Sequence, residues 1–188
     1  MDETLNPGPA RVQIHLSARA AGPGPQPAGE VSGGAQLTPH AGWGEELAKA
    51  TREVFEIMVG TSLASPTKES SPFVPDFAAM VGIAGSLCGL VGLYTSSECA
   101  RSIAAKMLGT EELDAGGDAQ DAFGEVCNMI AGSFKARIAG LADGCALSVP
   151  TVIFGRDFTL FSLAKGEHYQ VMFSFEGRPF SVTLDLHS

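Results

Sequence analysis

Between Phe77 and Ser97 the chain carries no charged residue. A stretch this long and apolar has two physical outcomes: a single helix through a bilayer, for which about 20 apolar residues suffice, or a pair of strands buried inside a domain. Glycines at 82, 85, 89 and 92, with a turn signal at Gly85-Ser86, divide it into two apolar runs of strand length. No cluster of Lys or Arg sets an orientation across a membrane. The stretch predicts a buried β-hairpin, and a membrane-anchored chain using residues 77–97 is the weaker alternative.

The flanking sequence alternates between two periods. From Trp43 to Gly60, Leu47, Ala50, Val54 and Ile57 or Met58 recur at spacings of three and four, with Glu45, Lys49, Glu53 and Glu56 opposite and Gly60 as a stop. A Ser/Pro-rich loop at 61–74 leads into the hairpin. Ser97 to Leu108 again has helical spacing, with Ile103, Ala104 and Met107 on one face, and an acidic loop from Thr110 to Asp118 follows. The longest helical candidate runs from Asp118 to Ala139, where Ala122, Phe123, Val126, Ile130, Phe134 and Ile138 form an apolar face. Then the period becomes two: Leu147–Val149, Thr151–Phe154, Phe158–Phe161, Tyr169–Phe175 and Phe180–Leu186 read as strands, with turn signals at Gly155-Arg156, Gly166-Glu167 and Glu176-Gly177-Arg178. This order indicates an α+β domain, with helices packed on a largely antiparallel sheet.

With 188 residues, 45% of them hydrophobic, one domain with a sizeable core is expected. Residues 1–41 differ from the rest: they hold six of the eleven prolines, include the run GPGPQP, and show no apolar periodicity. Such a segment buries too little surface to offset its ordering entropy. The sequence therefore predicts a disordered tail at 1–41, with Arg11 to Leu16 as a candidate docking motif within it, and a domain at 42–188. Twelve Lys and Arg against 21 Asp and Glu leave a net charge of −9, which argues against nucleic acid and anionic membrane, because phosphate binders carry a basic stripe. Cys88, Cys99, Cys127 and Cys145 form no C-x-x-C pair, and the four histidines do not cluster with them, so neither a disulfide framework nor a metal site is expected. Cys88 and Cys127 have apolar neighbours and read as reduced core residues. No secretory signal is visible at Met1-Asp2-Glu3, and a cytoplasmic location is expected.

Two helices echo one another. Glu53-Val54-Phe55-Glu56-Ile57-Met58-Val59-Gly60 returns as Glu125-Val126-Cys127-Asn128-Met129-Ile130-Ala131-Gly132, with Glu, Val and Gly in common. Each precedes a set of strands, as two related helix-plus-strands units in one sheet would. The run DAFGEVCNMIAGSFKARI, followed by GCALSVPTVIFG, resembles the CheX branch of the CheC/CheX/FliY chemotaxis phosphatases, through the helix pattern Glu-x-x-Asn-x-x-x-Gly and the Leu-Ser-x-Pro-Thr start of the next strand. The resemblance covers roughly residues 43 to 188. It implies a CheC-like fold of two pseudo-repeated units and a phosphatase that acts on the aspartyl phosphate of a CheY-type receiver domain. Carried over residue by residue, it points to Glu125 and Asn128 as the active pair. The first helix has Glu56 where the long helix has Asn128, so one active site per chain is implied. The resemblance further implies no intrinsic cofactor, Mg2+ held by the receiver, and a homodimer joined through the sheets.

The pair also has a direct physical reading. Positions i and i+3 of a helix project about 60° apart, so Glu125 and Asn128 are neighbours on one face, and Asp121, Gly132 and Lys135 continue that stripe as candidate partner-binding positions. An asparagine carboxamide holds a water through its oxygen while its NH2 faces phosphoryl oxygens, where a carboxylate would be repelled. Glu125 is better cast as a docking group for the receiver's active-site lysine. Glycine inside a helix costs about 1 kcal/mol relative to alanine, so Gly132 needs a reason. Approach of the partner's backbone is preferred here to close packing within the domain. The alternative from another class is a non-catalytic receiver-binding or flagellar-switch module in which Glu125 and Asn128 are remnants.

Overall fold

The uncharged stretch forms two antiparallel strands, β1 (Phe77–Gly85) and β2 (Cys88–Thr95), in register from Phe77 opposite Thr95 to Ile83 opposite Gly89. Gly85, at the turn, has a φ of 138°, and a Cβ there would lie 2.1 Å from the carbonyl oxygen of Gly144, so only glycine fits. The computed structural model describes residues 42–63, 73–110, 117–155, 158 and 166–187. Among these, no helix is long and apolar enough to cross a membrane. The expected tail at 1–41, the expected strand Phe158–Phe161 apart from Phe158, and most of the loops at 61–74 and 110–118 lie outside the described residues.

Three helices, α1 (Trp43–Val54), α2 (Ser97–Leu108) and α3 (Gly117–Arg137), pack on a six-stranded sheet completed by β3 (Cys145–Leu147), β4 (Thr151–Phe154), β5 (His168–Phe175) and β6 (Arg178–His187). The order is β3-β1-β2-β6-β5, with β4 also on the outer edge of β1, and every pair is antiparallel. This is the α+β architecture expected from the alternation of periods. α1 is followed by the hairpin β1–β2, and α3, after the short strands β3 and β4, by the hairpin β5–β6. β2 and β6 meet at the centre, β1 and β5 flank them, and α1 packs on β5 and β6 while α3 packs on β1 and β2. Each unit's helix thus covers the other unit's strands, which brings the two echoing helices side by side.

Alternation along the strands supplies the core. Phe77, Ala79, Val81 and Ile83 of β1 join Phe180, Val182, Leu184 and Leu186 of β6 in one buried cluster, where each large apolar side chain stabilises by about 1.5–3 kcal/mol. Phe55 stacks on Phe180 at 5.0 Å and meets Phe175 edge-on at 5.9 Å, tying the end of α1 to the sheet. α2 begins at an N-cap, Ser96, whose hydroxyl accepts from the Cys99 N–H at 3.2 Å, and ends at Gly109 in the left-handed conformation.

Three expectations are corrected. Ile57 and Met58 do not complete the core face of the first helix. Phe55–Val59 form a π-helical turn closed by Gly60, with φ 68°, and this wider turn takes up an extra residue. Val59 enters the core at 3% exposure, while Met58 is 36% and Ile57 71% exposed. The strand expected at Leu147–Val149 lies at Cys145–Leu147 instead. Ser148 meets Gly82 twice, its N–H donating to the carbonyl and its Oγ accepting from the N–H, both at 2.9 Å. Pro150, with no N–H to donate, then interrupts the ladder before β4. Finally, Cys88 is exposed at the start of β2, whereas Cys99, Cys127 and Cys145 are buried, and all four thiols are free.

Candidate functional site

The candidate site is built on α3. Phe123, Val126, Ile130 and Phe134 are fully buried, which fixes the helix's rotation and leaves the opposite face outward. On it the five residues singled out in the sequence form one stripe: Asp121 and Glu125 are exposed, and Asn128, Gly132 and Lys135 are half-buried. Among the described residues, the side chains of Asp121, Glu125, Asn128 and Lys135 have no hydrogen-bond or ion-pair partner in the chain. The stripe therefore presents two carboxylates, an ammonium and a carboxamide, all free to meet another molecule.

Two glycines of α3 divide the roles that sequence reasoning gave to one. A Cβ on Gly132 would meet nothing within 4 Å, so Gly132 opens on free space. A Cβ on Gly124 would lie 3.2 Å from Val152 Cγ2 and 3.4 Å from Pro150 Cβ, so Gly124 is the glycine that lets α3 lie close on β4. Gly124 escaped the sequence reading, although its signal, a second glycine inside the same helix, was there. The Ser148–Pro150 interruption that delivers Pro150 to it was partly visible in the Leu-Ser-x-Pro-Thr run.

On its other side, α3 is clamped to α1. Arg137 donates from Nη2 to Glu53 Oε2 at 2.6 Å, and Ser133 Oγ donates to the same oxygen at 2.8 Å. Arg137 Nη1 also lies 3.7 Å from Glu46. The guanidinium, followed by the Ser133 hydroxyl, holds the Glu53 carboxyl below its ordinary value. Between this clamp and the stripe runs a groove of about 530 Å³, lined by Val54, Ile57, Met58, Met129, Gly132 and Ala136, with Glu53, Ser133 and Arg137 completing it.

Burial pushes the Cys127 thiol up to about 12, and His168 Nδ1 pairs with the nearly buried Asp185 at 2.8 Å. Among the described residues, no group of three or more His, Cys, Asp or Glu is placed to hold a metal ion.

Comparison with known proteins identifies the family. A family model described as chemotaxis phosphatase CheX matches residues 77–176, more than half of the chain. The chain belongs to the CheX family. The match includes all of α3 and its stripe, whereas α1, with the Ile57–Met58 turn, precedes it. The crystal structure of CheX from Desulfovibrio desulfuricans is 27% identical, with a TM-score of 0.67 over 77% of this chain and 99% of that one. CheX from Vibrio vulnificus is 20% identical, with a TM-score of 0.68 over 80% of this chain and 100% of that one. A chain of the CheX-CheY-BeF3-Mg2+ complex from Borrelia burgdorferi is 23% identical, with a TM-score of 0.63 over 77% of this chain and 97% of that one. These last two establish likeness of fold. A search of curated proteins found no match.

Proposed function

We propose that this chain accelerates hydrolysis of the aspartyl phosphate of a CheY-type receiver domain, with the outward face of α3 as its working surface. The observation that carries the reading is the adjacency of Glu125 and Asn128 on that face, both without a partner in the chain among the described residues, in a member of a chemotaxis phosphatase family. Phosphoryl transfer depends mainly on positioning and electrostatics. Of the five stripe residues, Asn128 alone carries an acceptor and donors in one planar group. Its oxygen holds the in-line water and its NH2 faces the phosphoryl oxygens. Glu125 takes the receiver's active-site lysine, Asp121 and Lys135 flank the contact, and Gly132 leaves room for the partner's backbone.

The Borrelia complex contains CheY and Mg2+, which supports a CheY-like partner and a metal that arrives with it. The same reading places the chain in the cytoplasm, where receivers are found, treats residues 42–188 as sufficient for activity, and includes a homodimer. The test is phosphate release from receivers phosphorylated with acetyl phosphate, with this chain at a tenth of the receiver concentration. Many phosphates released per chain are expected. Binding without turnover would instead make the chain a receiver-binding module.

A further inference from the structure

The groove beside the stripe is not explained by the chemistry of Glu125 and Asn128. Its wall is made by Ile57 and Met58, which the π-turn turns outward from the core face on which a regular helix would have kept Met58. Ile57 and Met58 stand exposed side by side next to a polar stripe, and π-turns inside helices are frequent at functional positions. Met129 and Gly132 also line the groove, and Gly132 belongs to the stripe as well. Anything that reaches Asn128 with its backbone over Gly132 therefore lies at the mouth of this groove. At its far side, the acidic and basic groups satisfy each other, Glu53 with Arg137 at 2.6 Å, so the interior offers no unpaired charge and suits an uncharged apolar guest.

We infer that the Ile57–Met58 groove is the pocket by which this chain selects its receiver, taking an apolar side chain that the receiver presents beside its phosphorylated aspartate. The inference rests on the proposed function and adds the recognition element to it. The stripe supplies polar contacts that any receiver's active site offers, whereas a pocket admits only receivers with a matching apolar group. The groove, about 530 Å³ and open to solvent, has room for an apolar side chain. The occupant is the receiver rather than a second copy of this chain, because a copy seated there would cover Gly132 and close off the stripe.

The test compares wild-type chain with the double variant Ile57→Gln/Met58→Gln and the conservative variant Ile57→Leu/Met58→Leu. The readouts are steady-state phosphate release over a range of phosphorylated receiver concentrations, calorimetric binding of the beryllofluoride-loaded receiver, and thermal unfolding. The glutamine variant is expected to raise both KM and Kd by about tenfold, with kcat falling far less and Tm unchanged, because a contact common to ground and transition states has been removed. The leucine variant should keep both constants near wild type. If wild type turns over the receiver and the glutamine variant matches it in KM and Kd, the groove is idle and the inference falls while the functional reading stands. If the glutamine variant loses self-association in sedimentation with KM unchanged, the groove belongs to a second copy and the inference also falls. If wild-type chain neither binds nor dephosphorylates any receiver, the functional reading fails and takes the inference with it.

Discussion

Arg137 of α3 holds Glu53 of α1 at 2.6 Å, across the interface between the two echoing helices. Glu53 occupies the echo position of Glu125, so the carboxylate that would open a second site is committed inside the chain, shared with the Ser133 hydroxyl. The π-turn beginning at Phe55 also removes the regular helical geometry after Glu53. Restoring the missing amide should therefore not be enough. Glu56→Asn introduced into an Asn128→Ala background is expected to release phosphate no faster than Asn128→Ala alone. Recovery of activity in the double variant would show that Glu56 was the sole defect of the first helix.

The same clamp has a pH signature. Glu53 is held below the ordinary carboxylate value by Arg137 and then Ser133; Glu46 is held low mainly by Lys49, with Arg137 a smaller cause. A carboxylate lowered in the folded state stabilises the fold above its unfolded pKa of about 4.3, and that contribution is lost as pH falls through the folded value. The gap in Tm between wild type and Arg137→Ala should be full at neutral pH and narrow below about pH 4. The gap should be small, since exposed ion pairs are well screened by solvent. A gap of the same size at about pH 3 and about pH 7 would assign it to packing of the arginine stem rather than to charge.

Gly124 and Gly132 make a paired prediction. Alanine gains helix propensity at both sites, by up to about 1 kcal/mol. At Gly132 the added methyl meets open space, so Gly132→Ala is expected to raise stability by about 0.5–1 kcal/mol while weakening receiver binding. At Gly124 it presses on Val152 and Pro150, and the strain should cancel the gain. Unfolding of the two variants in urea checks the order. Loss of stability in Gly132→Ala would overturn the partner-approach role of that glycine.

Much of this was legible because local period and turn chemistry agree with the global fold. Gly85-Ser86 marked the β1–β2 turn within an apolar stretch long enough to span a membrane, and the spacing from Phe123 to Phe134 oriented α3 and its stripe. Non-local pairing left no such mark. The Glu176-Gly177-Arg178 turn marks β5 and β6 as a hairpin, but nothing in Phe180–Leu186 says that β6 also pairs with β2, or in Thr151–Phe154 that β4 pairs with β1, since register across a sheet is set by contacts far apart in sequence. The π-turn was equally silent: the helical period puts Met58, four residues after Val54, on the core face and Val59 off it, and only the wider turn, with Phe55 packed against Phe175 and Phe180, reverses the two. The groove that follows from that turn was therefore invisible until the two helices were seen together.

The sharpest prediction concerns Asn128 and Glu125. Asn128→Ala removes the group that orients the water, and Asn128→Asp keeps the shape, loses the donor and adds a negative charge beside the phosphoryl oxygens. Both are expected to lower kcat by about 100-fold or more, the usual loss when one positioned donor is removed from a charge-developing centre. Glu125→Ala should act mainly on Kd and KM, because a docking contact contributes before the chemical step. None of the three should change stability by more than about 0.5 kcal/mol, since both side chains lie on the outward stripe and, among the described residues, have no partner in the chain to leave stranded. Phosphate release, binding of the beryllofluoride-loaded receiver and thermal unfolding, measured together, separate these effects. Should Asn128→Asp keep most of its activity, an amide-positioned water is the wrong mechanism, and Glu125 becomes the candidate general base.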